Sequence, residues 1–159
     1  VHVKMADGTE ECFDVSVPLP GSHMVYNALA AAGVAKELGL SIEQIQSGIA
    51  AVKPVGGRSN IIRAEKYTLI DDCYNANPVS MEAAIDLLNM ALTRKVAVLG
   101  DMFELGENSD ALHERVGKYA VEKGVDMLLC VGENSKFMYE AALKKKEEMK
   151  KEQEKEDSE

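Results

Sequence analysis

The chain holds 159 residues, 46% hydrophobic and 28% charged, with a formal net charge of −9 and three cysteines. Its apolar share suits a packed core and excludes disorder over most of the length, while the negative charge argues against nucleic acid or an anionic membrane as partner. The longest apolar run, residues 28–35, is far too short to span a bilayer, and Cys12, Cys73 and Cys130 fit neither a disulfide framework nor a zinc spacing, so a reducing cytoplasm is expected.

In chain order, residues 1–5 and 11–19 read as two strands joined by Ala6-Asp7-Gly8, since Asp-Gly favours a tight hairpin. Pro18 and Pro20 cannot donate to a ladder and should end the second strand. Ser22 is then the expected cap of a helix reaching Leu38 and stopped by Gly39. Ser41 with Gln44 forms a capping-box signature for a second helix to Val52. The run Lys53-Pro54-Val55-Gly56-Gly57 breaks the pattern, and a domain boundary is placed there, dividing residues 1–55 from 56–143.

Beyond it, strands alternate with helices. Short strands are expected over 60–64 and 67–70, then a polar loop over 71–79. Ser80 should cap a helix to Leu92 with Ala83, Ala84, Leu87 and Leu88 on its apolar side. A β-branched strand over 95–99 precedes the loop 102–108, a helix from Ser109 to Lys123 closed by Gly124, and a strand over 127–131. A last helix begins near Asn134 and runs into residues 144–159, where six lysines and seven acids predict a solvated, helical or disordered tail. The expected class is α/β, a parallel-rich sheet flanked by helices. Ligands in such sheets bind beyond the carboxyl ends of strands, which singles out 71–77, 100–106 and 132–134.

Read singly, the polar residues on these segments are ambiguous. His23 and Asn27 stand four apart on one helix face, as a hydrogen-bonded pair or a ligand contact would. Gly57-Arg58 is a turn with a cation, and Asp71-Asp72 at a strand end suits either a turn or a ligand. Met24, Met81 and Met102 read as core filler, Cys73 as a passive thiol, and His113 as a packed or surface histidine. No cluster has metal-ligand spacing. The glycines at 100 and 106 follow a strand but do not make G-x-G-x-x-G, which speaks against a nicotinamide enzyme.

Read together, the segments are more specific. G-x-H-x-x-x-N-A-L-A-A at 21–31, G-R at 57–58, D-D-x-Y-N-A-N-P-x-S-M at 71–81, and G-D-M-x-E-L-G at 100–106 with H-x-x-V-G at 113–117 resemble the Mur ligase family in order and spacing. The Asn-Ala-Asn-Pro run resembles the branch that joins D-alanyl-D-alanine to UDP-N-acetylmuramoyl-tripeptide. The resemblance implies a cytoplasmic, ATP- and Mg2+-dependent amide ligase of peptidoglycan synthesis working through an acyl phosphate. Residues 1–55 would then close the central ATPase domain, and 56–143 would belong to the Rossmann-like C-terminal domain that receives the amine.

By the same resemblance Asn27 would meet the adenine, Arg58 the ATP phosphates and Asp72 the ribose. Tyr74, Asn75, Asn77, Asp101, Glu104 and His113 are further candidates for nucleotide or dipeptide contact. A carboxylate among them would suit the dipeptide ammonium, while His113 would brace the loop. Met24 replaces the asparagine of many relatives, no G-x-x-x-x-G-K-[ST] occurs, and the family's last strands are missing. The chain is therefore expected to be a segment of the ligase, inactive alone and binding ATP more weakly than about 1 mM. The alternative is a stand-alone Rossmann-like module for a small ligand or protein.

Overall fold

The computed structural model describes residues 1–4 and 8–156, so the expected turn at Ala6-Asp7 and the last three tail residues lie outside the described residues. The chain divides into two compact units, Val1–Asp71 and Asp72–Glu159.

In the first unit, β1 (His2–Lys4) pairs antiparallel with β2 (Glu10–Cys12), His2 opposite Cys12. The ladder is extended once more where Phe13 N–H donates to Val1 O at 3.0 Å and the Val1 ammonium donates to Phe13 O at 2.6 Å. Regular strand ends there rather than near Leu19; the Asp14 carbonyl turns instead to the side chain of Gln46, at 2.7 Å. Helix α1 spans Ser22–Glu37, and Ser22 is its first helical residue, not its cap. The cap position belongs to Gly21, whose φ of 99° suits glycine, and no side chain caps the helix.

The C-terminal end is as expected. Gly39 N–H reaches Lys36 O and Leu40 N–H reaches Ala35 O, the paired bonds of a Schellman motif. Helix α2 (Ile42–Ala50) opens with the complete Ser41–Gln44 capping box. Phe13, Ala28, Ala32, Ile45 and Ile49 form the unit's buried cluster, with alanines on α1 allowing close approach. Strands β3 (Asn60–Arg63) and β4 (Thr68–Asp71) form an antiparallel pair in which Asn60 faces Asp71.

In the second unit, α3 spans Pro78–Asn89. Its cap is Asn77, whose side chain accepts from Ser80 N–H at 2.9 Å while Ser80 Oγ accepts from Asn77 N–H at 3.1 Å. Ser80 is thus the third helical residue of a capping box, not the cap, and Pro78 fills the first position, where no donor is needed. Strand β5 (Val96–Gly100) and strand β6 (Met127–Val131) run parallel, separated by α4 (Ser109–Glu122), which is entered through a 3₁₀ turn at Gly106–Asn108.

Helix α5 (Ser135–Glu156) follows, carrying the charged segment as helix. This parallel strand–helix–strand unit with flanking helices makes the architecture mixed α/β; among the described residues, parallel pairing is found at β5 and β6, and the other two ladders are antiparallel. Ile85, Met102, Val116 and Met138 fill the core between α3, α4, α5 and the loop after β5. Each such fully buried side chain contributes about 2–3 kcal/mol. Met81 and Met102 are core as expected; Met24 is half-buried outside it.

Candidate functional site

The expected ligand residues divide between the two units. Asn27 lies on the exposed side of α1, its amide 3.5 Å from Met24 Sδ. It does not bond to His23 one turn earlier, whose Nδ1 is buried and has no hydrogen-bond partner among the described residues. The His23 ring lies against Gly21, where a Cβ would come within 2.6 Å of it. Of the two readings of the His23–Asn27 pair, the mutual hydrogen bond is not formed, and the imidazole nitrogen is left uncompensated.

Arg58 sits in a tight turn. Its N–H donates to Val55 O at 3.1 Å, and the residues on either side, Gly57 and Ser59, adopt φ of 74° and 45°. Ser59 is 3% exposed despite being polar and left-handed, so the turn is held in shape by its surroundings. Gly57 N–H donates to Asp71 Oδ2 at 3.0 Å. Arg58 itself is exposed. A guanidinium carried on such a turn is a fixed positive charge for an anionic ligand.

Asp72 opens the second unit and is half-buried. Among the residues after it, Tyr74 is 68% exposed, Asn75 accepts from the Ala76 N–H at 3.0 Å, and Asn77 has its carbonyl oxygen committed to capping α3. Ala76 packs against the same core as Met102 and Leu105. The loop is therefore anchored at Ala76 and Asn77, with Tyr74 directed outward.

Asp101, Glu104 and His113 play three different parts. Asp101 Oδ1 accepts from Ser135 N–H at 2.7 Å and Ser135 Oγ at 2.6 Å, so this carboxylate caps α5 from a distant loop. Burial pushes its pKa up, but the Ser135 hydroxyl and the N–H groups of Ser135, Asn134 and Glu133 outweigh that and hold it below the usual aspartate value. His113 is fully buried; its Nε2 accepts from Met102 N–H at 3.0 Å and its Nδ1 lies 2.7 Å from Ser109 O. That pairing fixes the neutral tautomer with the proton on Nδ1, and it braces the loop.

Glu104 is exposed at φ 61°, an unusual conformation for a non-glycine residue, between the anchored Met102 and half-buried Leu105. Of the three, Glu104 is the one whose side chain faces solvent. Among the described residues no group of three or more His, Cys, Asp or Glu is arranged to hold a metal ion.

The comparisons converge on one family. The family model "Mur ligase, glutamate ligase domain" matches residues 57–158. The Escherichia coli UDP-N-acetylmuramoyl-tripeptide–D-alanyl-D-alanine ligase is 46% identical over 123 residues, covering 77% of this chain and 27% of that enzyme. A crystal structure of MurF from Acinetobacter baumannii superposes with a TM-score of 0.77 at 39% identity, covering 81% of this chain and 28% of the other. MurF ligase from Thermotoga maritima in complex with ADP shares the fold, with a TM-score of 0.62 at 21% identity over 91% of this chain and 42% of the other. The chain spans about a quarter of the length of the curated relatives it matches. No described helix is long and apolar enough to cross a membrane.

Proposed function

Because its residues 57–158 carry the glutamate ligase domain, the chain belongs to the Mur ligase family, and from that premise we propose that it is part of a ligase joining D-alanyl-D-alanine to UDP-N-acetylmuramoyl-tripeptide. The single observation that carries this member is the 46% identity to the Escherichia coli enzyme of that name. The reaction would use ATP to phosphorylate the tripeptide carboxylate, after which the dipeptide amine displaces phosphate. It would take place in the cytoplasm, with the domain boundary near Gly56.

In this reading Arg58 faces the ATP phosphates and lowers the cost of charge building up as the γ-phosphoryl group leaves. Asp72 accepts from the ribose hydroxyls, and Asn27 pairs with the adenine. Glu104, projecting from a braced loop, suits the dipeptide ammonium; Asp101 and His113 set that loop in place and do not touch ligand. Magnesium would be held by residues beyond those described here. The alternative of a stand-alone binding module has no observation in its favour.

The test uses the full ligase carrying this segment. Arg58→Ala and Asp72→Ala should each lower dipeptide-dependent phosphate release by about a hundredfold, with an unchanged melting temperature. Wild-type turnover in both variants would overturn the assignment.

A further inference from the structure

The turn that carries Arg58 is held not only by its own N–H bond to Val55 O but by a bond made through its neighbour Gly57. The turn at 56–59 contains two left-handed residues, Gly57 and Ser59, and a lone turn of that kind would sample other conformations. Asp71, 14 residues further on, ends β4 opposite Asn60 and places its carboxylate 3.0 Å from Gly57 N–H. The β3–β4 hairpin is thus closed at its open end by a side chain, and that side chain reaches the residue immediately before Arg58.

We propose that Asp71 is the positioning residue of Arg58: its carboxylate holds the turn that aims the guanidinium at the polyphosphate. The two aspartates of Asp71-Asp72 then have separate duties, the first turned back onto the arginine turn and the second on the nucleotide. The bond is partly buried, so water replaces it poorly. The proposal rests on the reading of Arg58 as a phosphate contact, and the experiment below separates the two.

In the full ligase, Asp71→Ala should lower kcat about tenfold, the loss expected for one charge-assisted bond, with KM for D-alanyl-D-alanine unchanged. Asp71→Asn, which keeps an acceptor oxygen at the same reach, should stay within about twofold of wild type. The Gly57 amide proton resonance should move upfield in Asp71→Ala and stay near its original position in Asp71→Asn.

Added to Arg58→Ala, Asp71→Ala should cost nothing further, because the residue acts through the arginine. Multiplying losses in the double variant, or an unaltered kcat in Asp71→Ala, would overturn the positioning role. Full activity in Arg58→Ala would instead overturn the phosphate reading on its own. Should Asp71→Ala fail to fold, Asp71→Ser, too short to reach Gly57, takes its place with the same expectations.

Discussion

Asp101 receives two hydrogen bonds from one residue, the Ser135 N–H at 2.7 Å and the Ser135 hydroxyl at 2.6 Å. It therefore caps the start of α5, and its negative charge sits at the positive end of that helix. Its folded pKa is lowered, so the stability it confers is present in full above the unfolded value of about 4 and is lost as pH falls through the folded value. Urea midpoints measured between pH 6 and 2 should fall for the wild type over that acidic window. Asp101→Asn should start about 1 kcal/mol lower at neutral pH and lack this part of the decline. His113 is satisfied on both nitrogens by Met102 and Ser109, which makes it a brace within the core. The Met102 and Ser135 bonds could not be read from spacing, because they join groups brought together only by the fold, 11 and 34 residues apart.

At the scale of elements, the tightest approach in the second unit is between α4 and α5. Gly117 is buried on α4, and a Cβ there would fall onto the backbone carbonyl of Met138 in α5. Backbone cannot rotate out of the way, so Gly117→Ala should destabilise the chain by about 3 kcal/mol in thermal denaturation. Gly33→Ala, with open space at the corresponding point on α1, should raise stability by about 0.5–1 kcal/mol.

Much of this level was legible in the sequence. Gly39 and Gly124 end α1 and α4 as expected, the Ser41–Gln44 box starts α2, and the apolar run 127–131 is β6 to the residue. The misplacements have local causes. Ser22 looked like a cap because serine usually is one, yet a left-handed Gly21 already turns the chain into the helix. Asn77-Pro78-Val79-Ser80 carries the signature of a cap, a first-position proline and a third-position partner, and Ser80, a good cap residue in its own right, masks the earlier start at Asn77. In the candidate site, Arg58 was visible as a cation after glycine, while the Asp71 bond that shapes its turn spans 14 residues and depends on hairpin register. Glu104 gave no sign of its positive φ, since nothing in Phe103-Glu104-Leu105 favours it.

Across the whole molecule, the formal net charge is −9, and Arg58 is exposed within this acidic surround. The β5–β6 pair turns Ala97, Leu99, Leu128 and Cys130 toward the helical core, while Val98 and Val131 on the other face are 64% and 59% exposed. One face of the parallel unit is covered, where parallel sheets are ordinarily covered on both. Helix α5 is likewise uneven along its length, with Ser135, Met138, Ala141 and Ala142 buried and the charged turns after Leu143 largely exposed.

The Asp101 clamp on Ser135 gives that unevenness a kinetic meaning. Amide protons in 136–142 can exchange with deuterium only when a cooperative unit opens that includes the loop after β5, because the clamp ties their helix to a residue 34 positions away. Those in 146–156 lie on largely exposed turns and exchange by local opening, without disturbing the core. Deuterium uptake should therefore be at least about a hundredfold slower in the first set than in the second, and Asp101→Ala should narrow the gap from the slow side. A continuous 22-residue helix would then behave as two segments with separate lifetimes, the first tied at its start to a distant loop by a single carboxylate.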